Sequence, residues 1–131
     1  MAIADSNGLP VSARIESASP HEVKLVEATI DKRFTKKKPE KIIGDKAYDS
    51  DQLDKALEKQ KIELIAPNKE NRKTKSQDGR QLRRYRRRWK VERLFAWLQN
   101  YRRIIVRYEY HAANYQGMVH LGCIMILLRH L

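Results

Sequence analysis

Sulfur chemistry is nearly absent from this chain, because Cys123 is its only cysteine. One thiol excludes a disulfide framework and a cysteine-based zinc site, and it fits an intracellular protein. Long apolar runs are missing too. The longest, Met118 to Leu128, is interrupted by His120 and is too short to span a bilayer. Met1 to Gly8 shows no basic region followed by an apolar core, so no signal peptide is read there. There is no Walker loop, no Gly-x-Gly-x-x-Gly and no supportable Ser-His-Asp arrangement. His21, His111, His120 and His130 lack metal-ligand spacing and are read as surface or packing residues. No internal repeat and no second domain is visible. Residues 1–131 are read as one domain, long enough for a real core.

Acids are scarce in one window. Residues 72–107 hold 14 of the 28 Lys and Arg but only two acids, Asp78 and Glu92, so that window carries the whole formal charge of +12. A pI near 10.0 points to nucleic acid first and an anionic membrane second. Glu92 lies inside the densest part, after Arg83-Arg84-Tyr85-Arg86-Arg87-Arg88-Trp89-Lys90-Val91. A plain basic surface needs no acid there. A protein that holds a polyanion and does metal chemistry on it does, because cations bind phosphate and a carboxylate binds Mg²⁺.

The pattern along the chain is α/β. Asn7-Gly8 reads as a hairpin turn between Met1–Ala4 and an alternating strand from Leu9 to Ser17, with Val11, Ala13 and Ile15 on one face. Ser19-Pro20-His21-Glu22 reads as a capping box, followed by Val23, Val26, Ile30 and Phe34 at helical spacing. Lys41 to Gly44 is a short buried-type strand ending at Asp45. Asp49 and Gln52 read as a capping pair for a helix lined by Leu53, Ala56 and Leu57, and Ile62 to Ala66 as another strand. Arg80 to Arg107 contains no Gly or Pro apart from its flanks and is expected to be one long helix. On it Val91, Leu94, Leu98, Tyr101 and Ile105 form an apolar stripe. Tyr85, Arg88, Glu92 and Gln99 fall within an arc of roughly 60° nearly opposite. A last helix is expected from about His111 to Arg129, weakened by Gly117 and Gly122.

Asp45 and Glu92 are the pair with chemical potential. A carboxylate at the C-terminal end of a buried strand lies where α/β sheets bind ligands. Two carboxylates facing across a cleft can hold divalent metal for phosphodiester cleavage. Taken alone, Asp45 also reads as a turn or cap acid, and Glu92 as a salt-bridge partner of Arg88 or Lys90. Arg88 suits a phosphate clamp, and Tyr85 suits a base or phosphate contact. Arg83, Arg84, Arg86 and Arg87 surround the helix, so some are ordinary solvated charge. Trp89 and Trp97 are read as packing residues.

Gly44-Asp45-Lys46-Ala47-Tyr48-Asp49-Ser50 resembles the second-acid motif of bacterial insertion-sequence transposases of the DDE type. Tyr85-x2-Arg88-x3-Glu92 resembles the Tyr-Arg-Glu signature around their third acid. In that signature a lysine follows seven positions after the glutamate, where this chain has Gln99. Arg93-Leu94-Phe95-Ala96-Trp97-Leu98 and Ile3 to Pro10 are also similar, so the resemblance covers almost the whole chain. It implies an RNase H-like (ribonuclease H/integrase-type) domain that cleaves insertion-sequence ends and transfers strands with Mg²⁺, Mn²⁺ being a substitute. Asp45 and Glu92 would be catalytic metal ligands. Tyr85, Arg88, Gln99, Arg84, Arg87, Lys90 and Arg103 would contact DNA.

The family's first aspartate precedes the hairpin, which here opens at Met1. The expectation is therefore an N-terminally truncated domain, ending in a long helix plus a C-terminal helix, and inactive alone. Its partners would be transposon-end and target DNA, with a transposase dimer or a missing N-terminal half completing it. No membrane partner is expected, and the location would be cytoplasmic and nucleoid-associated. Two rivals remain. One is a non-catalytic DNA-binding remnant that inhibits an intact transposase, and the other is a basic RNA-binding protein.

Overall fold

A computed structural model of the chain describes residues 1–17, 19–72, 83 and 85–131. Strand β1 (Ala2–Ala4) pairs antiparallel with β2 (Pro10–Ala13), and the register slips between Ile3 and Ala4. The turn between them is organised by Asp5. Its carboxylate accepts from the backbone N–H of Asn7 at 2.7 Å and of Leu9 at 2.8 Å. Gly8 takes φ +82°, the left-handed region where a side chain is strained. The hairpin expected at Asn7-Gly8 is therefore present, with Asp5 in its turn.

The second strand is shorter than expected, and alternation fails on it. Ser12 and Ala13 are both buried. The Ser12 hydroxyl donates to the Thr29 carbonyl at 2.6 Å, which satisfies its burial. Past the strand, the Gln116 amide covers the edge. Its oxygen accepts from the Ile15 N–H at 2.7 Å and its nitrogen donates to the Ala13 carbonyl at 2.9 Å.

A single 3₁₀ turn (Glu22–Leu25) leads into α1 (Val26–Asp31). His21, not Ser19, is the N-cap, and its Nδ1 accepts from the Val23 N–H. The capping-box reading fails because the turn starts two residues beyond Pro20. Phe34 lies past the helix and is substantially exposed. Strand β3 (Lys41–Ile43) pairs parallel with β4 (Glu63–Ile65), and α2 (Asp51–Lys59) connects them. Parallel pairing requires such a crossover. Ser50, not Asp49, occupies the N-cap position of α2, without a side-chain capping bond. Asp49 is buried and turned instead to the Lys69 N–H and the Arg72 guanidinium, which also reaches Asp51 and Asp54. A guanidinium supplies several donors to a desolvated carboxylate, more than a helix start offers. Leu53 and Leu57 join Val26, Ile30, Ile62 and Leu64 in the first core.

The expected helix from Arg80 to Arg107 is interrupted. After a 3₁₀ turn at Arg86–Arg88 come α3 (Trp89–Leu98) and α4 (Arg102–Ile105). Residues 80–82 and 84 lie outside the described residues. At the break, Asn100 and Tyr101 donate to Trp97 and Leu98, three residues back, and Tyr101 is extended at φ −97°, ψ 112°. The stripe holds at Leu94 and Leu98, but Ile105 is 61% exposed, and Ile104 packs inward instead. The last helix, α5 (Ala112–Leu128), runs through both glycines. At Gly122 a Cβ would meet Ile104 Cδ1 at 2.6 Å and Leu98 Cδ2 at 3.2 Å, so the glycine admits close helix packing. The second core gathers Ala13, Leu94, Leu98, Cys123 and Ile126. Burial pushes the Cys123 thiol up to about 11, which keeps it inert.

The mixed α/β class holds. Among the described residues the strands form two separate two-stranded sheets rather than one continuous sheet. A two-stranded sheet is marginal alone, so the helices carry the cores. Leu57→Ala is expected to cost about 2–5 kcal/mol by cavity formation. Gly8→Ala is expected to cost about 1–3 kcal/mol through left-handed strain. Urea unfolding followed by circular dichroism checks both, and an unchanged midpoint in either variant contradicts the packing described here.

Candidate functional site

One open cleft of about 1360 Å³ separates the β1 hairpin from β3, and α3 forms a further wall. Asp45 borders it, directly after the end of β3, where the Gly44 N–H donates to the Ile65 carbonyl at 3.0 Å. Asp45 is exposed and extended, and its Oδ1 accepts from the Ala47 N–H at 2.8 Å. Asp45 therefore caps a short turn, as the plainer reading of the sequence had it, and also borders the cleft. Tyr48 lies against Gly44 and donates to Glu22 at 3.2 Å. Burial, then the Glu22 charge and hydrogen bond, then the Asp45 charge push the phenol well up, so it remains a donor.

Glu92 and Arg88 border the same cleft from α3 and the turn before it. Their side chains lie 3.4 Å apart, and both are largely exposed. The Arg88 guanidinium sits 5.5 Å from the Tyr85 ring centroid, so Tyr85, Arg88 and Glu92 do share a face. Arg87 and Lys90 also border the cleft, but the Lys90 ammonium donates to the Ser6 carbonyl. Gln99 does not join them. It borders a separate hollow of about 580 Å³ between the N-terminal hairpin and α3, α4 and α5, because it lies about two helical turns, roughly 10 Å, beyond Glu92. Arg103 lies on α4 and pairs with Glu109 at 2.9 Å. Arg84 lies outside the described residues.

Among the described residues no group of three or more His, Cys, Asp or Glu gathers as a metal site. Asp45 and Glu92 nevertheless offer the right donor chemistry. Mg²⁺ is commonly held by one or two carboxylates, with substrate phosphates and water completing its shell. Two exposed carboxylates bordering one cleft fit that pattern.

The residue most important to the site's shape carried no role in the sequence reading. The Arg93 guanidinium lies 4.9 Å from the Trp89 ring and 4.9 Å from the Trp97 ring, and it donates to the Asn7 carbonyl. A Cβ on Gly8 would come within 2.7 Å of Arg93 Nη2. The signal was present as two tryptophans four residues either side of an arginine, the spacing at which helix side chains meet.

Among curated proteins, the chain is similar to one named as a transposase for insertion sequence element IS402 of Burkholderia cepacia. The two are 30% identical over 132 residues, which is 95% of this chain and 59% of that protein. The chain thus spans less than two thirds of that relative's length. It is also 38% identical over 88 residues to a protein of Brucella ovis named as a transposase for insertion sequence element IS6501, covering 67% of each chain. No solved structure gives a significant match. The family model described as transposase DDE domain matches residues 1–128, and the chain belongs to that family.

Proposed function

We propose that this chain is catalytic-domain sequence of an insertion-sequence transposase, acting on DNA ends through the cleft between β1 and β3. The observation that supports this most is that Asp45, just past a strand end, and the Arg88–Glu92 pair border one cleft. Asp45 and Glu92 would hold Mg²⁺, or Mn²⁺ in its place. Bound there, the ion would activate a water or a 3′-hydroxyl and stabilise the leaving oxygen. Arg88 would grip a phosphate beside the metal, and Tyr85, against its guanidinium, would steady that grip. Arg87 extends the basic wall. A cytoplasmic, nucleoid-associated location and an RNase H-like arrangement belong to the same proposal.

The site is short of one acid on this reading. β1 and β3 both border the cleft, and each has a single strand partner among the described residues. An added extended segment laid between them would join the two sheets and bring a further carboxylate toward Asp45 and Glu92. The 131-residue chain is therefore expected to show only background cleavage of a matched transposon end with Mg²⁺ or Mn²⁺. Supplying the remaining transposase sequence, in cis or as a second chain, is expected to restore cutting, and Glu92→Gln to abolish it. Robust cleavage by the chain alone contradicts the missing-acid reading.

DNA binding is expected regardless of cutting. Log affinity should fall linearly with log salt, and Arg88→Ala should reduce the slope by about one unit. Fluorescence anisotropy across a salt series measures this. A flat response removes the phosphate-holding role of the cleft wall, and tighter binding of structured RNA than of DNA favours the RNA-binding alternative.

A further inference from the structure

The segment between α4 and α5 stands apart from the cleft and spends its polar groups in an unusual way. Glu109 is its one acid, and its side chain is 8% exposed. Its carboxylate accepts from Arg103 at 2.9 Å and from the Tyr108 N–H at 3.3 Å. Arg107 turns back on the segment, donating to the carbonyls of Glu109 at 2.9 Å and Tyr110 at 3.1 Å. These bonds hold a defined turn, yet the rings it presents are left in water. Tyr108 is 71% exposed and Tyr110 is 91% exposed. Single exposed tyrosines are ordinary. Two on one internally bonded turn, beside Arg102, Arg103 and Arg107 and with the only acid enclosed, are a different arrangement.

We propose that this turn is a platform for unpaired nucleotides, on which Tyr108 and Tyr110 stack bases while the neighbouring arginines hold the strand's phosphates. The proposal rests on the DNA-directed reading given above and adds a second contact surface to it. Base stacking on aromatic rings needs an exposed π-face on both partners, and duplex DNA hides the base faces except at ends and distortions. The arginines supply the charge for any nucleic acid, so the rings decide which form is preferred. Arg102 has no side-chain hydrogen bond or ion pair among the described residues, which leaves it open to phosphate. Arg103 lies 6.0 Å from the Tyr108 ring centroid, so a phosphate held there sits close to a base on that ring. The internal bonds reduce the cost of ordering the turn on binding.

The test compares a blunt duplex with the same duplex carrying a short unpaired overhang that contains 2-aminopurine. The chain is expected to bind the overhang more tightly and to quench its fluorescence. Tyr108→Ala with Tyr110→Ala should remove that preference, lowering overhang affinity by roughly tenfold per stacked base while sparing the blunt duplex. Tyr108→Phe with Tyr110→Phe should retain it, because the rings remain. Thermal melts of both variants check that the cores are intact. Equal affinity for the two duplexes overturns the platform but leaves the transposase reading standing. Loss of binding to both duplexes in the alanine variant also overturns it, as does self-association in sedimentation that the alanine variant abolishes. Failure of the parent chain to bind either duplex sinks both readings.

Discussion

Arg93 joins the two halves of this molecule. Its guanidinium lies between Trp89 and Trp97 and donates to the carbonyl of Asn7, so the tip of the N-terminal hairpin is fastened to the face of α3. Lys90, one turn earlier, fastens the Ser6 carbonyl. Neighbouring helix positions point about 100° apart. Once Arg93 is turned to the hairpin, Leu94 is carried to one side and Glu92 to the other. Leu94 is fully buried in the second core, while Glu92 opens into the cleft. Its acidic neighbour faces the cleft because the arginine beside it is occupied.

The hairpin can serve as this joint because β1 has two faces. Ile3 packs on the first core, and Ala2 and Ala4 pack on the second. Successive residues of a strand point to opposite sides, so three residues suffice to touch both. The outer edge of β2 is then closed by the Gln116 amide, which supplies one acceptor and one donor much as a neighbouring strand would.

Local signals in the sequence were readable where local chemistry decided the structure. The hairpin at Gly8, the strands before Asp45 and around Leu64, and α5 all follow their patterns. Asp49 and Ser12 depart from local rules for caps and alternation because each meets a partner distant in sequence, whereas the Ser19 cap fails locally, because the turn begins at Glu22. Asp49 went to Arg72 and Ser12 to Thr29. The break after Leu98 has no glycine or proline to announce it, and it follows from Ile104 and Gly122 packing where α4 meets α5. Helical spacing puts Tyr85, Arg88 and Glu92 on a shared face, whereas Gln99, at a similar angle, lies about two turns further along the axis and borders a different hollow.

The basic window is therefore not a uniform surface for polyanions. Arg93 and Lys90 are engaged by hairpin carbonyls, while Arg103 pairs with Glu109 but keeps a side chain that is 63% exposed. Arg88 differs from these. Its contact with Glu92 spans 3.4 Å between side chains that are 49% and 60% exposed, and surface pairs of that kind contribute about 0–1 kcal/mol. On the proposed reading, a phosphate drawing Arg88 away and a metal drawing Glu92 away would sacrifice little stability. On that reading the pair would keep an acid compatible with its basic surroundings until substrate arrives, and its weakness would leave both side chains available together.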